Sequence, residues 1–277
     1  MLLLSISSVT LADDTKPPMS ADISIYGGQL TMDDHYNNDF SFNKGEILGG
    51  AARVNVWLNS EWSTQFDISG EHIKDGPLDA GTSWDFRYSV LNTAAHISYR
   101  KSNYLVGGFF SISEDHNWWD DKFRTIGLEG QYTLDRTVFY GQVGRTKSVH
   151  DSGVYWDTKA IYGRAEVKYF TTDNLMLSAN VGLTEYTVDR GDVDGRTWGL
   201  DAEYRLDESP VSFFASYQGS YEEEKAEDQD WTTASFILGI KYSLGTKSLI
   251  EASRSGPTLH DYNPFTGASH VRFSDWE

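Results

Sequence analysis

The sequence has no cysteine, which removes disulfide staples, thiolate catalysis and thiolate metal binding from consideration. Proline is scarce: Pro17, Pro18, Pro77, Pro210, Pro257 and Pro264 are the full set. None falls inside the extended segments identified below, where a missing N–H would break a ladder, and Pro210 stands at the first residue of one. Positive charge is also in short supply, with 23 Lys and Arg against 41 Asp and Glu and a formal net charge of −18. Phosphate neutralisation needs clustered basic residues, so no nucleic-acid partner is expected. Nowhere does the chain approach the roughly 18 consecutive apolar residues of a membrane helix. Any membrane span must therefore be built from strands.

What the sequence does have is alternation. In AIYGRAEVKYFTTDNLMLSANVGLTEY (160–186), Ile161, Gly163, Ala165, Val167 and Tyr169 share one face, and Tyr162, Arg164, Glu166 and Lys168 the other. After Thr171-Thr172-Asp173-Asn174 the pattern resumes with Leu175, Leu177, Ala179, Val181 and Leu183 against Met176, Ser178, Asn180, Gly182 and Thr184. Period two with a short break reads as a β-hairpin. The same reading gives twelve strands, at about 20–32, 46–58, 61–73, 87–100, 102–114, 122–134, 136–148, 156–170, 173–188, 196–206, 210–221 and 232–245.

The connections alternate between short (59–60, 101, 135, 171–172, 206–210) and long (33–45, 74–86, 115–121, 149–155, 189–195, 222–231). Tight turns on one side and longer loops on the other are the pattern of an up-and-down antiparallel transmembrane β-barrel. The segments also exceed the mode of roughly 5 to 6 residues in globular sheets. Aromatic residues gather at segment ends: Trp57 and Trp62 bracket one short turn, Tyr99 and Tyr104 another. Trp156, Trp198 and Trp231 stand where strands leave long loops, and Trp84, Trp118 and Trp119 lie in or beside them. Such placement is expected of interfacial girdles.

In a barrel the apolar faces meet lipid and the polar faces line the lumen. The pore-lining residues expected on this basis are the acids Asp67, Glu71, Glu129, Glu166, Asp201 and Glu203, the bases Arg53, Arg164, Lys168, Arg205 and Lys241, and His96. Buried charges of both signs must pair or stay hydrated. They either line a narrow aqueous channel or knit into a closed core. Strands 1 and 5 are less clean, because neither face is polar around Tyr26-Gly27-Gly28 and Gly107-Gly108-Phe109-Phe110.

The expected loops are acidic, as in EEEKAEDQD (222–230), MDDHYNND (32–39) and SEDHNWWDDK (113–122). Solvation accounts for them, and divalent cations bridging them to lipopolysaccharide are the sharper alternative. Asp192-Val193-Asp194-Gly195 lacks the rest of a calcium loop and reads as a turn. The seven histidines are scattered: His35, His116 and His150 in loops, His72 near a strand end, His96 within a strand, His260 and His270 in the tail. No serine stands clearly beside an imidazole, so neither catalysis nor a cofactor or metal is expected.

The opening MLLLSISSVTLADD has an apolar run and a small-residue site but no basic n-region. It gives a signal peptide over 1–12, a barrel over 13–245, and a tail over 246–277 that is periplasmic or lumen-entering. Leu249, Ile250, Tyr262 and Phe265 are candidate anchors for that tail.

With ISIYGGQL (23–30) opening the strands and ASFILGIKYSLG (234–245) closing them, the chain resembles the small porin-like outer-membrane barrels of Gram-negative bacteria. The resemblance implies passive diffusion of small hydrophilic solutes or ions through an outer-membrane lumen, with membrane lipid and lipopolysaccharide as surroundings. It departs from such barrels after strand 12, where they end on an aromatic residue and this chain continues. Two alternatives stand beside it: an outer-membrane barrel enzyme of the lipid-hydrolase type, and a soluble secreted carbohydrate-binding β-sandwich.

Overall fold

A computed structural model describes residues 17–34, 45–75, 87–116, 121–149, 159–188, 191–225 and 229–260. The expected signal segment, Trp84, Trp118, Trp119, Trp156, His35, His150, His270, Tyr262 and Phe265 lie outside them. Twelve strands form the wall: β1 (Met19–Asp34), β2 (Gly45–Trp57), β3 (Trp62–Asp75), β4 (Arg87–Arg100), β5 (Tyr104–His116), β6 (Asp121–Leu134), β7 (Thr137–Ser148), β8 (Lys159–Thr172), β9 (Leu175–Val188), β10 (Gly191–Arg205), β11 (Val211–Glu224) and β12 (Gln229–Leu244). Each pairs antiparallel with its sequence neighbours, and β1 pairs with β12 from Ala21↔Leu244 to Asp34↔Trp231, closing the barrel. Closure removes every sheet edge, so no backbone donor or acceptor of the wall faces lipid unpaired. A soluble sandwich is therefore ruled out as the fold.

The faces separate as period two requires. Ile25, Leu128, Ile161 and Leu183 point outward and are each about two-thirds exposed (65%, 66%, 68% and 67%), while Asn55, Thr146, Ser212 and Ser220 point inward and are sealed. Inward hydroxyls pair across strands: Ser63 with Ser98 at 3.0 Å, Thr125 with Thr146 at 2.8 Å, Ser220 with Thr233 at 2.6 Å. Tyr104, Tyr132, Tyr169, Tyr204 and Tyr242 stand exposed on the outside, near the rim that carries the short turns. Trp62 joins them, packed edge-on to Tyr99 at 5.4 Å.

Two expectations are corrected. Trp57 and Trp231 belong to no girdle: both are buried on the inner face, because each shares strand parity with inward polar residues (Asn55, Thr233). Nor do the connections alternate strictly. β10 starts at Gly191, so only residues 189–190 separate it from β9, and 225–228 separate β11 from β12. Asp192-Val193-Asp194-Gly195 is strand, not turn. Val193 seals inward, while outward Asp192 and Asp194 accept hydrogen bonds from Thr187 Oγ1 and Lys225 Nζ. The hairpin rises beyond the apolar belt, where outward carboxylates cost little.

The ambiguous faces of β1 and β5 have a specific cause. Tyr26 lies over its cross-strand partner Gly49, and Phe109 over Gly127. Tyr162 over Gly144 and Phe214 over Gly239 repeat the arrangement. A Cβ at Gly49 would stand 2.4 Å from the Tyr26 ring, so each ring lies flat against the wall only because its partner lacks a side chain.

Candidate functional site

Beyond β12 the chain turns into the barrel. Gly245 makes the turn with φ of 78°, and a Cβ there would meet Met19 O at 2.5 Å; the left-handed backbone and the close approach both demand glycine. Helix α1 (Leu249–Ser255) follows, the one helix among the described residues. Ser248 caps it, accepting from Glu251 N, while Glu251 Oε2 accepts from Lys247 N. This is the reciprocal logic of a capping box, displaced by one residue.

The inner wall holds this segment mainly by its main chain. Asn55 Nδ2 and Trp57 Nε1 both donate to Ser255 O at 3.1 Å. Arg100 Nη1 donates to Gly256 O at 3.3 Å and its Nη2 to Asn55 Oδ1. Gln131 donates to Ser253 O at 2.9 Å and Gln142 to His260 O at 2.9 Å. Gln65 makes two bonds with one residue, donating to Leu259 O at 3.0 Å and accepting from Leu259 N at 3.2 Å. Arg205 grips the root of the tail through Thr246 O and Oγ1. Two apolar anchors complete the seat: Leu249 against Val138 and Phe170, and Leu259, with no exposed surface, against Leu105 and Tyr140.

Every expected pore-lining residue lies on the inner face, but they are not one continuous ladder. Three serve a central cluster beside the tail. His96 Nδ1 lies 2.9 Å from Glu129 Oε1 and its Nε2 3.1 Å from Asp67 Oδ2; Tyr140 Oη donates to Glu129, and Gln65 to both Asp67 oxygens. Glu166 sits 2.9 Å from His260 Nε2 and 3.6 Å from Lys168 Nζ, with Arg164 next along the same face. The remainder sit apart. Arg53 is 4.0 Å from Asp22, Glu71 accepts from Tyr26 Oη, and Lys241 pairs with Glu203. Asp201 accepts from Ser178, Ser216 and Gln218.

Asn55, Trp57, Arg100 and Gln142, which hold the tail, were not among the expected site residues. Charge marked the others, whereas the tail is held largely by neutral amides. The signal available was parity for the wall and Ser248-Leu249-Ile250-Glu251 for the helix start.

No family model and no curated protein sequence matches the chain. Solved structures do. The COG4313 outer-membrane channel from Pseudomonas putida F1 is similar at a TM-score of 0.58 and 15% identity, over 86% of this chain and 100% of that one. The β domain of the Bordetella autotransporter BrkA matches at 0.52 and 12% identity, over 82% and 100%. The translocator domain of the autotransporter NalP from Neisseria meningitidis matches at 0.51 and 14%, over 80% and 88%. Identities this low establish the fold. Taken with the apolar outer belt and the tyrosine rim, that fold is a twelve-stranded β-barrel of the kind found in the bacterial outer membrane.

Proposed function

We propose that this protein is a non-enzymatic outer-membrane channel for small hydrophilic solutes or ions, closed from the periplasmic side by its own C-terminal tail. The observation that carries this reading is the occupant itself: the mouth of the lumen seats an α-helix beside the short turns at Asp135 and Asp173, and a helix with its side chains is about 10–12 Å across. Withdrawal of the tail opens the periplasmic half of the lumen, from which the route outward runs beside the apolar cluster that β1–β4 and β12 carry on one side of the wall. Inward carboxylates, including Glu222 and Glu224 near the outer rim, give that passage a cation bias. The lipid-hydrolase alternative needs a hydroxyl beside its base. His96 stands between two carboxylates, and Ser98 Oγ is engaged by Ser63 and Arg100. His72 Nδ1 does meet Ser89 Oγ at 2.8 Å across β3 and β4, but no carboxylate among the described residues orients that ring, which favours the channel.

The same reading assigns lipid to the apolar belt. Lipopolysaccharide and bridging divalent cations belong at the acidic outer rim, and no nucleic acid or cofactor has a role. The test is single-channel conductance in planar bilayers, using full-length protein with a specific protease site inserted between Gly245 and Thr246. Before cleavage the bilayer stays silent; after cleavage and washing, stepwise currents with a cation-biased reversal potential appear. Silence after proven release of the tail would end the channel reading.

A further inference from the structure

A segment that served only to obstruct could be wedged by side-chain packing. Here the wall aims donors at carbonyl oxygens that any polypeptide would present. Asn55, Gln131 and Gln142 each donate to a main-chain carbonyl of the tail. Gln65 donates to and accepts from the same residue, as a neighbouring strand would. Donors from β2, β3, β6 and β7 converge on residues 253–260, so the seat is built rather than incidental.

Side-chain selection enters at two adjacent positions. Leu259 is fully sealed between Leu105 and Tyr140. The next residue, His260, places Nε2 at 2.9 Å from Glu166 Oε2 and its ring edge-on to Tyr140 at 5.2 Å. An aliphatic side chain followed by an imidazole therefore meets an apolar socket and then Glu166, with Lys168 Nζ 3.6 Å from that carboxylate and 3.4 Å from the imidazole, which leaves no place for a second cation. Burying such an aliphatic group contributes about 1.5–3 kcal/mol, and a charged side chain in the same socket would be unpaired.

We propose that the periplasmic half of the lumen is a peptide-binding site whose resident occupant is the chain's own segment 253–260. It accepts in trans peptides that carry an aliphatic residue followed by histidine. The proposal rests on the tail-closed channel only for the route by which a ligand arrives, since the contacts exist whether or not solute flows. The tether gives the tail a high effective concentration, so a free peptide competes only once the tail is cut or loosened.

The experiment uses the full chain, folded and then cleaved at the site between Gly245 and Thr246. A fluorescent synthetic peptide with the sequence of residues 246–260 is added, and anisotropy is followed in detergent. Saturable binding to the cleaved protein is expected, at least tenfold weaker binding to the uncleaved protein, and competition by the unlabelled peptide. A peptide carrying Leu259→Asp should compete at least tenfold less well, and Gln65→Ala in the barrel should weaken binding by about tenfold. Uptake of no peptide after the tail has left, or equal uptake of a scrambled peptide, would overturn the proposal, as would a cut tail that never exchanges. Conductance of the same cleaved sample separates the two readings. A silent barrel that binds the peptide sinks the channel and keeps this site; a conducting barrel that ignores the peptide does the reverse.

Discussion

The two halves of the lumen are filled by different means. Near the periplasmic rim the contents belong to a separate segment, docked through amides and two apolar anchors. Toward the outer rim the wall packs against itself along one side. Leu30, Ile47, Ile73, Val90 and Ile237 from β1–β4 and β12 form an apolar cluster with Tyr26 and Phe214 packed against it. One filling can leave without disturbing a strand; the other is the strands' own side chains. Mobility in such a barrel thus follows from where the polar inward residues sit, because a segment docked through exchangeable hydrogen bonds has a much smaller barrier to departure than a covalently fixed core.

That contrast can be tested by asking which half each change disturbs. Ile73→Ala removes a fully enclosed side chain from the outer cluster and should cost about 2–5 kcal/mol of barrel stability. It should leave protease protection of the tail unchanged, as urea unfolding and limited proteolysis of the same sample would show. Leu259→Asp is expected to do the opposite. Placing a carboxylate in the apolar socket should weaken docking by about 3 kcal/mol, roughly a hundredfold in tail protection, with the unfolding midpoint of the wall unmoved. Equal effects of both changes on both readouts would erase the distinction between the halves. Gln65→Ala removes two hydrogen bonds to Leu259 and should weaken docking by about 1–3 kcal/mol, measured by the same proteolysis.

The smallest effect should come from pH. Burial, with help from Arg164 and Lys168 and against the pull of Glu166, lowers His260 from 6.5 to about 3 in the docked tail. A free tail protonates near 6.5, so docking is at full strength above that value. It weakens as pH falls toward 3, by at most about 1.4 kcal/mol per unit. Tail protection measured from pH 8 to pH 5.5 should decline only below about 6.5, by at most about 1.4 kcal/mol in all, and His260→Gln should flatten the profile.

The barrel was largely legible in the sequence because a strand that divides lipid from lumen must alternate, and a one-residue slip would reverse every side chain. That constraint made the inward positions of Asp67, Glu129, Glu166 and Glu203 readable without coordinates. It lapses where the strands leave the belt, which is why Asp192 to Gly195 reads as a turn yet forms strand. Aromatic enrichment misled at Trp57 and Trp231, where parity was the better guide. The tail lay beyond pattern reasoning for another reason. Its partners lie far back along the chain, as Asn55 and Ser255 do at a separation of 200 residues, and no local period encodes a contact of that range.

The seat of the tail has a consequence for biogenesis. Its donors are scattered over β2, β3, β4, β6, β7 and β10, so no partial sheet can assemble it. Contacts of such sequence separation form late, and the segment that makes them is synthesised after the last strand. Docking is therefore expected to report on completion: a barrel with a missing or misregistered strand would lack part of the seat and leave its C-terminal segment undocked.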